Sequence, residues 1–402
     1  MSELRVDTIN EATSGTGTTI SKLTNPNQPF RNKIINGDFQ IFQRGASAVT
    51  APSSLTSYVS ADRWLTQFST DGAMTLEQSS LSLADKATTG VANALEIKCT
   101  TADTSIAAGQ FALLLQSIEA QFLQDLGYGT NSAKTLTVSF YVKSNVTGTF
   151  CITVLKGDTT AAYLPIEYTI NSADTWERKT ITISPNAGST SLITGSGGVI
   201  NNDNGVGIQL IFNLAMGSNF TGGTNNTWST STHFATSNQS NFLSSTSNNF
   251  HLTGVQLEVG ETATDFEHLP RDVQLDRCMR YAYVHNNNAD SFQMLLFLGA
   301  TRGGTTKSFY IQHPRPMRDT PSITLSGEIR MINIGQAEHV DADDTLTVGG
   351  VTPSIVGQNA DEKGCNIFFN GAISGMTDSG NTGYILMFQK ETDNKLTFDA
   401  EL

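Results

Sequence analysis

Between residues 32 and 269 the chain alternates apolar and polar residues in short bursts, broken at regular intervals by Gly, Pro and Asn. Segments 136–143 (LTVSFYVK), 150–155 (FCITVL), 178–183 (RKTITI), 206–214 (VGIQLIFNL) and 250–259 (FHLTGVQLEV) show it most clearly. A period of two sends one set of side chains to each face, the pattern of a half-buried antiparallel strand. The stretches between, such as 145–148 and 185–188, carry the residues that turns require. So many short strands at even spacing predict an antiparallel β-sandwich, a jelly roll, over 32–269. Two segments break the pattern. In 117–126, Ile118, Phe122 and Leu126 fall at helical spacing, predicting a short helix. Pro270 then opens a linking helix over 270–284, where Pro suits a first turn.

The flanks read differently. Residues 1–31 hold two strand-like pieces, around Leu4, Val6 and Ile9 and at Ile20, with a Gly/Ser/Thr-rich stretch between them. Two isolated strands cannot bury a face alone, so this segment is expected to pair with another chain or stay disordered. Residues 285–402 are expected to form a C-terminal β-sandwich domain, with strands near 292–298, 307–311, 322–334, 366–373 and 384–388. Alternation to the last residue, 395–402, implies an end tied into a sheet.

Charge narrows the functions open to such a chain. With 24 Lys and Arg against 37 Asp and Glu, the net charge is −13, which argues against a binder of nucleic-acid backbones. Charged residues make up 15% of the chain, below the usual quarter, and Ser, Thr, Asn and Gly take their place. No apolar run approaches the length of a membrane span. The opening residues lack a charged start followed by an apolar stretch, so no secretory signal is expected. Cys99, Cys151, Cys278 and Cys365 are far apart and form no CxxC pair, which favours buried thiols over a disulfide framework or a zinc site. A surface suited to extracellular work without an export signal fits a component of a virion made in a bacterial cytoplasm.

Several ordered motifs carry a resemblance. The string NKIINGDF at 32–39 is followed by QRG at 43–45 and ADRW at 61–64. Later come SFYVKS at 139–144, TWER at 175–178, TGVQLEVG at 253–260, ATDFE at 263–267 and RCMRY at 277–281. Together they resemble a module of bacteriophage tail-fibre and receptor-binding proteins that looks like a carbohydrate-binding jelly roll. LRVDTI at 4–9 is similar to the opening of phage fibre and appendage proteins, which implies virion attachment through Leu4, Val6, Ile9 and Ile20. The C-terminal third resembles the family only at RPMRDTP (315–321) and at the closing FDAEL, so 285–402 is the candidate host-facing tip. The resemblance implies a homotrimer, with phage tail or adaptor proteins and a host surface glycan as partners.

Candidate ligand-binding residues gather in the Ser-, Thr- and Asn-rich stretch 219–249. Trp228 and Phe234 would stack on a sugar, while Asn225, Asn226 and His233 would supply directed hydrogen bonds. Trp64 and Trp176 are read as packed aromatics, and Glu258 and Glu267 as structural carboxylates. The charged residues Arg271, Asp272, Asp276, Arg277 and Arg280 are read as a solvated helix face, with an inter-subunit latch as the alternative. Asp341, Asp343 and Asp344 are weak candidates for a structural calcium site, since they lack the Gly and Glu of a calcium-binding loop; no cofactor is expected. No Walker loop, GxGxxG, GxSxG or HExxH occurs. The expectation is a non-enzymatic tail-fibre protein that docks to the virion by its N-terminus and recognises host glycans, several weak sites acting together. The alternative is a structural baseplate, adaptor or capsid-fibre protein without direct receptor binding.

Overall fold

The computed structural model describes residues 29–51, 54–286, 295–301, 307–326, 329–333, 339–342, 363–369, 383–388 and 395–402. The expected attachment residues Leu4, Val6, Ile9 and Ile20 lie outside the described residues, as do Asp343 and Asp344. The first twelve strands are β1 (Val49–Ala51), β2 (Ser54–Ser57), β3 (Leu65–Ser69), β4 (Ala73–Ser80), β5 (Asn93–Thr101), β6 (Phe111–Glu119), β7 (Leu136–Ser144), β8 (Gly148–Lys156), β9 (Ala162–Ile170), β10 (Glu177–Ile183), β11 (Val206–Met216) and β12 (Asn249–Val259). They form two six-stranded antiparallel sheets, β1-β4-β5-β12-β7-β10 and β2-β3-β6-β11-β8-β9. The chain is mainly β and sandwich-like, and all five segments quoted above lie within β7, β8, β10, β11 and β12.

Alternation builds the core directly. On β7, Leu136, Val138, Phe140 and Val142 are buried, while Tyr141 and Lys143 face outward. Phe140 meets Tyr168 and Phe212 edge-on, with ring centroids 5.1 and 5.0 Å apart. Trp64 stacks on Phe39 at 5.0 Å and gives its indole N–H to the Asn36 carbonyl. Each such side chain contributes about 1.5–3 kcal/mol through burial.

The 32–39 string packs against a bulge in β12. Pairing of β12 with β7 shifts register between Thr253 and Gln256, and Gly254 takes φ 59° there. The freed groups bond to the string: Val255 N–H donates to Gly37 O, Lys33 N–H to Leu257 O, and Leu257 N–H to Asn32 Oδ1. The approach is so close that a Cβ on Gly37 would lie 2.1 Å from Val255 O. Glu267 accepts from Asn32 N–H, and Glu258 from Thr264, so both carboxylates hold this joint together.

Both helix expectations need correction. Strand β6 runs on to Glu119 because Gln116, Ser117 and Ile118 pair with β11; only Ala120–Leu126 is helical, as a 3-10 segment. The second helix ends early, at Met279, since Ala282 to Asn286 pairs with the C-terminal strand. A further helix, Leu83–Thr89, has Ser82 as its cap, accepting from Asp85 N–H, and left-handed Gly90 at its end. With these fixed, the helices are α1 (Leu83–Thr89) and α2 (Arg271–Met279).

Among the described residues nine strands follow: β13 (Ala282–Asn286), β14 (Leu295–Thr301), β15 (Lys307–Gln312), β16 (Ser322–Ser326), β17 (Ile329–Asn333), β18 (His339–Ala342), β19 (Gly364–Phe369), β20 (Gly383–Phe388) and β21 (Lys395–Asp399). They make a three-stranded sheet, β13-β21-β16, and a six-stranded sheet, β18-β17-β20-β14-β15-β19. The single strand expected over 322–334 is two strands, in different sheets. Buried charge ties the smaller sheet to the sandwich. Arg63, stacked 3.3 Å over the Tyr281 ring, pairs with Glu401. Arg44 reaches Asp399 at 2.9 Å, and Tyr58 OH donates to Leu402 O. Arg280 makes a two-point contact with Glu119, at 2.8 Å for each bond. The charged helix face is therefore partly a latch, but one closed within the chain.

Candidate functional site: a polar groove on the outer face of one sheet

The stretch expected to bind sugar covers the second sheet instead. Trp228 is only 2% exposed and its indole N–H donates to Ser184 O at 2.9 Å. The platform expected there is a core aromatic: an indole flat against the sandwich has no face for a ligand. Phe234 is wedged between Tyr163 and Phe220, with centroids 5.6 and 5.8 Å away, and its carbonyl accepts from Asn213 and Thr153. Asn225 Oδ1 caps Glu167 N–H, and Asn226 N–H donates to Pro165 O. The His233 ring lies over Gly222. Phe234, Asn225 and Asn226 fasten the loop to β8, β9 and β11, Trp228 ties it to the segment after β10, and His233 packs within the loop. Asp341 lies in β18, in register with Arg330. Among the described residues no group of three or more His, Cys, Asp or Glu is placed to hold a metal.

A groove opens on the other sheet. Across β4, β5, β12 and β7 the register sets Glu77 opposite Glu96, Glu96 opposite His251, and His251 opposite Lys143. Period-two alternation turns this row outward, since its neighbours Leu76, Ile97, Leu252 and Val142 all enter the core. Lys98, next along β5, donates to Glu77 at 2.6 Å and lies 3.1 Å from Glu96, contacts that raise its ammonium pKa. One wall is the 246–249 turn, held by Asn145, whose amide donates to Ser247 O and accepts from Asn249 N–H. Opposite stands the 171–176 turn. There Asp174 takes φ 54° and its N–H donates to Ser144 O. Against a burial penalty, Lys179 and the Ser172 and Asn171 backbone N–H groups hold the Glu177 carboxyl down at about 2, which pins the turn.

Glu96, Lys98, Lys143, Asp174, Asn248 and His251 are the principal lining of a groove of about 490 Å³, within the usual range for small-molecule sites. Trp176 packs against two of the lining side chains: Lys143 Nζ sits 5.0 Å from its ring centroid and His251 meets it at 6.0 Å. Burial holds His251 down to about 4, so at neutral pH its ring is uncharged, with one nitrogen donating and the other accepting. Three buried atoms here lack any partner: His251 Nδ1, Asn249 Oδ1 and Trp176 Nε1. Buried polar atoms are nearly always bonded, so three unpartnered ones together set this part of the sheet apart. Packed carboxylates, amides and ammonium groups supply donors and acceptors in alternation.

Sequence reading missed this site. Glu96, Lys98, Lys143 and His251 belong to the polar half of three alternating strands, and nothing local shows that strands some 150 residues apart are neighbours.

The fold and groove define a mainly β, sandwich-built protein with a polar groove on the outer face of one sheet. No family model matches the sequence, and no characterised protein matches it. Among solved structures, one similar chain is a Bacteroides thetaiotaomicron protein named for sugar binding, at 15% identity and TM-score 0.30, covering 57% of this chain and all of that one. The enzymatically active domain of tailspike protein 4 of bacteriophage CBA120 is 11% identical at TM-score 0.27, over 58% of this chain and 22% of that one. A family 11 carbohydrate-binding module from Clostridium thermocellum is 14% identical at TM-score 0.26, covering 56% of this chain and 99% of that one. The functional reading therefore rests on the groove's own chemistry.

Proposed function

We propose that the chain is a phage tail-fibre protein that binds host-surface glycans without a catalytic step, through the groove over β4, β5, β12 and β7. One observation carries this: the three unpartnered polar atoms beside a 490 Å³ groove lined with interleaved donors and acceptors. Hydroxyl groups donate and accept at once, so a sugar ring satisfies both kinds of orphan in a single pose. The motif string from NKIINGDF to RCMRY supports the fibre assignment. Residues 1–31 would anchor the chain to the tail and three copies would give the avidity that weak sites need.

A neutral-oligosaccharide array tests the binding step. We expect the intact protein to retain a subset of glycans, and Lys98→Ala with Glu96→Gln to lose that subset while the melting temperature stays within a few degrees. An empty array would overturn the glycan reading. For the fibre assignment, added protein should compete with virions for adsorption to host cells and should run as a trimer. Undiminished adsorption at saturating protein would refute it.

A further inference from the structure

A second cavity lies where the 32–35 segment, β6, the 3-10 segment and α2 meet, away from the groove. It holds about 190 Å³ and is lined by Phe30, Phe122, Lys33, Gln116, Arg277 and Tyr281, among others. Two phenyl rings stand at its mouth, 59% exposed at Phe30 and 46% at Phe122. Among the described residues they are two of the few large apolar side chains left exposed, and both belong to one cavity.

Its cations differ in how they are matched. Lys33 is held by Asp125 at 3.0 Å and by Phe122 O. Gln116 is saturated, accepting from Ile35 N–H and donating to Ile35 O. Elsewhere the half-buried and buried arginines have carboxylates: Arg63 has Glu401, Arg44 has Asp399 and Glu401, and Arg280 has Glu119. Arg277 is the exception. Its Nη1 is buried without a hydrogen-bond partner, and burial lowers its pKa, which nearby groups such as Glu267 do not offset. A guanidinium kept half-buried and unmatched costs stability unless an anion completes it, in a protein with thirteen surplus acidic charges.

We propose that this cavity binds a sugar acid, the carboxylate pairing with the Arg277 guanidinium and the C–H face of the ring resting against Phe30 and Phe122. Two features select this ligand over a simple anion. The space suits one pyranose ring. Its walls offer flat apolar faces beside Arg277, the one lining cation without a carboxylate partner, since Lys33 and Arg63 are paired.

Isothermal titration of the intact protein with methyl β-D-glucuronide and methyl β-D-galacturonide tests it, with methyl β-D-glucoside and sodium acetate as controls. At least one uronide is expected to bind ten-fold or more tightly than both controls. Arg277→Gln is expected to lower that affinity at least ten-fold while leaving oligosaccharide binding in the groove unchanged. Should that variant fail to fold, Phe122→Ala, at an exposed position, is expected to weaken uronide binding several-fold. Acetate binding as tightly as the uronides would reduce the site to an anion hole and overturn the proposal. So would no binding of either uronide, or full uronide affinity in the substituted proteins.

Discussion

His251 links groove chemistry to the pH response of the fold. Burial places its folded pKa at about 4, below the ordinary 6.5. The unfolded chain therefore binds more protons between those values, and stability from the neutral ring is present above pH 6.5 and lost as pH falls towards 4. Asp62 has the opposite sign: burial raises its carboxyl to about 6, against Arg44, so its contribution declines as pH rises from its ordinary value to about 6. Urea melts at pH 7 and pH 4.5 separate the two. We expect His251→Gln to lose less stability than the wild type on acidification; an equal loss would show that the ring does not titrate as the structure implies. Trp228 gives the contrast between packing and binding. Its replacement by Ala should cost about 3–5 kcal/mol, as for other large core aromatics, while the folded fraction keeps its glycan affinity. Selective loss of binding would restore Trp228 as a ligand contact.

Elements show what alternation can and cannot reveal. The five clearest segments became strands because a period of two is a local property, readable residue by residue. Helix ends were harder to place. Segment 117–119 has helical spacing but is recruited by β11, and 282–284 by β21, so distant partners override local preference in both cases. Leu83–Thr89 carried its own signal in Ser82, Asp85 and Gly90, a cap at each end of a short helix. The groove was illegible for a different reason: its residues come from strands whose order is set by non-local pairing. Gly37 makes the joint to β12 sensitive to a single added atom. Gly37→Ala would press a methyl against the Val255 carbonyl, and chemical denaturation should show a loss of about 1–3 kcal/mol, the usual cost of overpacking. An unchanged midpoint would mean that the 32–39 string is not clamped to β12.

At the scale of the whole molecule, buried charge joins the C-terminal sheet to the sandwich. Arg63 and Glu401 are both nearly inaccessible, and breaking one buried pair from one side costs about 3–5 kcal/mol. Glu401→Gln should therefore increase proteolysis of the C-terminal strands well before the sandwich unfolds, and equal cleavage rates would contradict that coupling. The same joint puts the sugar-acid cavity beside the interface and leaves the groove on a separate outer sheet face. The most direct test of groove binding is hydrogen exchange by mass spectrometry, with and without the tightest-binding neutral oligosaccharide from the array. Protection confined to the peptides of β5, the 171–176 turn and residues 246–251 is the predicted result. Protection of the 219–241 loop, with no change in β5, would move the binding site to the second sheet and contradict the account.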